Sequence, residues 1–98
     1  MVLEHAWIQV GVGGEGAYTA AVAEARPIIE GAPGCQGLEL RQQIEDPTRF
    51  VLLVTWDSVD AHMDFRASEA FEQWRDLTHH HYVAPTEVTH FSTPLPLS

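Results

Sequence analysis

Along Leu3 to Val12, His5, Trp7 and Gln9 fall on one parity and Ala6, Ile8 and Val10 on the other, a period of two that predicts a first strand with bulk on both faces. From Glu15 to Glu30 the period changes. Tyr18, Ala21, Val22, Ala25, Ile28 and Ile29 recur at helical spacing with Glu24 and Arg26 opposite, and Pro27 predicts a kink or an early stop. After the turn GAPG at 31–34, the stretch Cys35 to Glu45 alternates Leu38, Leu40, Gln42 and Ile44 with Glu39, Arg41 and Gln43, a half-buried second strand. Asp46-Pro47-Thr48 turns the chain into Arg49 to Trp56, a run so apolar that it belongs at the centre of a sheet covered on both faces.

Beyond Trp56, Asp57 or Ser58 can cap one short helix and Ser68 another, the two meeting near 66–68. Ala61 and Phe65 mark the buried side of the first. Phe71, Trp74 and Leu77 or Thr78 mark that of the second. Following His79-His80-His81-Tyr82, the run TEVTHFST predicts a fourth strand, and TPLPLS a loose tail. The order βαββααβ describes an α+β, ferredoxin-like protomer: a four-stranded antiparallel sheet with helices on one face, one domain over 1–98 with its core at about 3–92 and a tail at 93–98. Because the first and third strands are apolar on both parities, the uncovered sheet face needs a partner, and the same face of a second copy is the simplest, giving a homodimer.

Charge narrows the choice of partner. The formal charge is −9, and protonating all six histidines would leave −3, so phosphate backbones and anionic lipid are repelled: no nucleic acid and no membrane are expected as partners. One cysteine, Cys35, leaves no disulfide framework or cysteine-rich zinc site and suits a reducing cytoplasm. No basic leader or long apolar run marks a signal peptide or membrane span. Gly11, Gly13 and Gly16 match GxGxxG, but the chain is too short for a doubly wound sheet and no acid ends a strand about 20 residues on, so they read as a turn.

The strings GCQGLEL, IEDPTRFVLLVTWDS, AHMDFRASEAFEQWRDL and EVTHF together resemble the antibiotic biosynthesis monooxygenase family of dimeric α+β barrels over about residues 3–92. The resemblance implies a protomer that dimerises through its sheet and holds a pocket between sheet and helices. It also implies oxygenation of a small aromatic, phenolic or quinol-type substrate with no cofactor, neither metal nor flavin. Fold alone does not settle the chemistry. A non-catalytic ligand-binding dimer and an isomerase or lyase acting on a small carbonyl compound stay open beside it. Heme degradation is disfavoured because Phe65 and Arg75 stand where that branch carries Trp and His.

Such chemistry needs a dry slot, a base and a group that holds an anion. His62 is the candidate base, and Arg66, four residues on along the helix, the anion holder; the competing reading turns both to solvent. Phe65, Trp74 and Trp56 would supply flat walls, and Tyr18 or Tyr82 a hydroxyl at the rim, against the simpler reading of these aromatics as core. His79, His80 and His81 diverge too much for a metal set, but one of them, taken as His81, could line the mouth. His5 and His90, on strands, read as neutral histidines at the dimer seam.

Overall fold

The computed structural model describes residues 1–98. Two inner strands, β1 (Val2–Gln9) and β3 (Arg49–Trp56), pair antiparallel and are flanked by β2 (Cys35–Gln42) beside β3 and β4 (Glu87–Phe91) beside β1, giving the order β2-β3-β1-β4. This is the ferredoxin-like arrangement, with β3 inside the sheet as its apolar run requires. Three helices, α1 (Glu15–Glu30), α2 (Val59–Arg66) and α3 (Glu69–Thr78), cover one face.

Strict alternation decides which side chains face them. Glu4, Ala6 and Ile8 on β1, with Val10 just past its end, and Phe50, Leu52, Val54 and Trp56 on β3, are buried on the helix side. From α1, Tyr18, Val22, Ala25 and Ile29 close over that surface, joined by Phe65 and Trp74 from α2 and α3 in one cluster of 15 buried residues. The opposite parity, with Trp7, Val51 and Leu53, is half-buried.

Several boundaries differ from the reading of the sequence. Pro27 does not stop α1, which runs to Glu30, because a proline in the last turn removes one N–H while its own carbonyl still accepts from Gly31 N at 3.0 Å. The second strand ends at Gln42 and the fourth spans only Glu87–Phe91. The three histidines wind into a 3-10 turn, His79–His81.

Two connections place the site. Ser58 caps α2, accepting from Ala61 N at 3.1 Å, and Ser68 caps α3, accepting from Phe71 N at 3.3 Å, so each short helix starts at a fixed point. Gly34, in the turn before β2, has φ of 85°, and a Cβ there would sit 2.7 Å from Ala61 Cβ. Only glycine lets this turn pack so closely under α2.

Candidate functional site

Glu4 is the one acid on the apolar parity of β1. In register it lies between Val54 on β3 and His90 on β4, and Trp56 follows Val54 on the same face. The first turns of α2 then bring His62 down onto this corner, where its ring stacks on Trp56 with centroids 5.2 Å apart and planes 16° from parallel. Neither Glu4 nor His62 is more than 6% exposed.

A line of short polar contacts links these groups. Trp56 donates from Nε1 to Glu4 Oε1 at 2.9 Å, His62 Nε2 lies 3.1 Å from the same oxygen, and His62 Nδ1 lies 2.7 Å from His90 Nε2. Both ring nitrogens of His62 are therefore engaged. The second carboxylate oxygen of Glu4, Oε2, takes no hydrogen bond from the protein.

Burial controls the protonation of the pair. It pushes the Glu4 carboxyl above its ordinary range, against the opposing pull of the Trp56 hydrogen bond and the Arg66 charge. For His62 burial works the other way, with His90 and Arg66 adding to it, and lowers its pKa to about 4. At neutral pH His62 is an uncharged imidazole, able to donate from Nε2 to Glu4 only while Nδ1 accepts from His90.

Glu4 and His62 border a cavity of about 330 Å³ between sheet and helices. Its walls mix apolar side chains, Ala6, Ile29, Leu52, Phe65, Phe71 and Trp74, with Arg66, His79 and Tyr82 as further polar groups. That volume lies at the small end of ligand pockets, which run from roughly 300 to 1,000 Å³. Arg66 is exposed, its guanidinium carbon 5.8 Å from the Phe71 ring centroid, so its charge stands at the border of the cavity. A separate groove of about 660 Å³ lies between the end of α1 and α2, edged by Asp57, Asp60 and Asp64, and Phe65 is the only side chain shared by the two.

Of the residues singled out from the sequence, the structure gathers His62, Arg66, Phe65, Trp74 and Tyr82 around the cavity. Three others are placed differently. Trp56 is fully buried behind His62 and forms no wall of the cavity, because it ends the central strand beneath α2. Tyr18 is also fully buried, packed on Phe50 and Tyr82 from α1, with a hydroxyl that has no hydrogen-bond partner. His81 is turned away by the 3-10 turn, and His79 borders the cavity in its place, stacked on Tyr82 with centroids 4.6 Å apart.

Two participants were missed: Glu4, whose position among Ala6, Ile8 and Val10 was a visible signal, and His90. His90 was read as lying at the seam on the open face. Its register opposite Glu4 puts it on the helix face instead. No group of three or more His, Cys, Asp or Glu side chains is placed to hold a metal ion.

A ferredoxin-like α+β protomer with an aromatic cavity beside a buried carboxylate is thus the class of protein in hand. The chain belongs to the antibiotic biosynthesis monooxygenase family, whose model matches residues 1–77. It is 33% identical over 92 residues to the uncharacterized protein YczJ of Bacillus subtilis (strain 168), covering 93% of this chain and 97% of that one. A crystal structure from Bordetella bronchiseptica bearing the family's name is 42% identical and superposes with a TM-score of 0.92 over 96% of this chain and 97% of the other. A structure of the same family name from Nitrosomonas europaea, at 19% identity, shares the fold with a TM-score of 0.80 over 95% and 98% of the two chains.

Proposed function

We propose that the protein is a cofactor-independent monooxygenase that oxidises a small aromatic, phenolic or quinol-type substrate with dioxygen in the cavity between sheet and helices. The observation that carries this reading is Glu4: a buried carboxylate of raised pKa, on a cavity with aromatic walls, with one oxygen held and the other free. Glu4 is the proton acceptor in this scheme, and His62 supports it from behind because both of its own nitrogens are occupied.

The acidic hydroxyl or enol of the substrate gives its proton to Glu4 Oε2. The resulting anion passes one electron to dioxygen, and the substrate radical and superoxide combine into a peroxide. The peroxide takes the proton back, and loss of water leaves a carbonyl. One oxygen atom ends in product and one in water, with all electrons from the substrate. Arg66 offsets the anion at the cavity border, while Phe65, Phe71 and Trp74 supply apolar surface for a flat ring.

The working form is a homodimer joined through the uncovered sheet face, and its setting the cytoplasm, where the lone Cys35 stays reduced. No helix is long and apolar enough to cross a membrane.

Oxygen uptake with a panel of anthrones and hydroquinones, with ¹⁸O₂ and mass analysis of product, tests the reading. One labelled atom per product molecule is expected, and Glu4→Gln should lower kcat by about a hundredfold or more, the usual contribution of a general base. Ligands that bind without consuming oxygen would make the protein a binding module, and turnover in the absence of oxygen an isomerase or lyase.

A further inference from the structure

We propose that His90 is a positioning residue: through its 2.7 Å contact with His62 it holds the His62 ring in the tautomer that donates to Glu4, and so sets how strong a base Glu4 is. This rests on the reading of Glu4 as proton acceptor, and adds to it a residue of the edge strand that never touches the cavity.

The chain of contacts from Trp56 through Glu4 and His62 to His90 admits two arrangements in which both imidazoles are neutral, the second holding one proton more than the first. In one, Glu4 is ionised, His62 donates to it from Nε2, and His90 donates from Nε2 to His62 Nδ1. In the other, Glu4 holds a proton and donates it to His62 Nε2, His62 donates from Nδ1, and His90 accepts. An imidazolium at His62 does not fit the first, because a proton on Nδ1 would face the His90 N–H, donor against donor. While His90 donates, His62 is held neutral next to Glu4.

Removing His90 opens His62 Nδ1 to water, since β4 is the edge strand and His90 only half-buried. His62 can then take up a proton and stand as a cation 3.1 Å from the Glu4 carboxylate. An opposite charge at that distance favours the ionised acid and makes it a weaker base. The other titratable or charged groups near the chain are Arg66 from α2 and Cys35 from β2, with His79 and Tyr82 across the cavity.

The test is carboxyl ¹³C and imidazole ¹⁵N NMR titration of the full chain, comparing wild type with His90→Ala and His90→Gln. In His90→Ala the Glu4 midpoint should fall by about one pH unit, and His62 should become doubly protonated at higher pH than in wild type. His90→Gln, whose amide can still donate to Nδ1, should stay close to wild type, which a purely structural effect of losing the ring would not produce. An unmoved Glu4 midpoint in His90→Ala, or the same shift in both variants, overturns the proposal. Oxygen uptake separates the two readings: the Glu4 shift without turnover on any substrate defeats the oxygenase while the coupling stands. Turnover with no shift defeats the role given to His90.

Discussion

Tyr18 and His62 show opposite consequences of burying a polar side chain. The Tyr18 hydroxyl has lost water and gained no partner, a state that costs about 1–3 kcal/mol in proteins. Tyr18→Phe should therefore leave stability unchanged or raise it by up to about 1 kcal/mol in urea denaturation; a clear loss would mean that the hydroxyl is bonded in solution. His62 has partners, yet its folded pKa of about 4 lies below its ordinary 6.5, so as pH falls the unfolded chain takes the proton first. Stability from this group is complete above about pH 6.5 and is lost toward pH 4, by up to roughly 3 kcal/mol. Glu4, with a raised pKa, acts in the opposite sense: the folded state holds its proton to higher pH, and stability falls as pH rises through that value. The difference between wild type and His62→Gln isolates the histidine, and wild type should lose more stability than the variant between pH 7 and 4.5. At this scale part of the candidate site was legible: His62, Arg66, Phe65 and Trp74 follow from helical spacing, but the partners of a buried histidine come from other strands, and only register brings Glu4 and His90 beside it.

The elements themselves were legible because each carries its own period and its own punctuation. Ser58 and Ser68 were readable as caps, and both accept the expected backbone N–H. Where periodicity is absent the sequence is mute: three consecutive histidines have no repeat to read, and packing of Tyr82 against His79 and a bridge from Val10 to Tyr82 settle their shape. The turn at Gly34 matters more to the site than its composition suggests, because it supports α2 from below. A side chain there would meet Ala61 at 2.7 Å on a backbone of positive φ, so Gly34→Ala should cost about 2 kcal/mol or more and displace the helix that carries His62. Ser58→Ala, which removes only the cap, should cost about 1 kcal/mol. Chemical denaturation measures both, and equal losses would show that the turn does not press on the helix.

At the scale of the whole molecule, the sheet has one face covered by helices and one that the chain leaves open. On that open face His5 packs edge-on against Trp7 at 5.1 Å and against Phe91 at 5.7 Å, Arg49 lies 4.2 Å over the Trp7 ring, and Leu3, Val51 and Leu53 fall on the same parity. A monomer would keep this apolar surface in water at a cost of about 25 cal/mol for every Å². A second copy can remove it, since a twofold axis through one self-complementary patch closes without leaving further edges. The proposed homodimer predicts that Leu53→Glu, at the centre of an inner strand, places two like charges face to face across the axis and drives the protein to monomers, whereas Val12→Glu, on an exposed turn, does not. Sedimentation at micromolar concentration decides this: a wild type already monomeric would leave the face to another partner. A Leu53→Glu variant that stays dimeric would move the interface off the sheet. The dependence of Tm on protein concentration should vanish in the monomeric variant, because only the dimer gains stability by mass action.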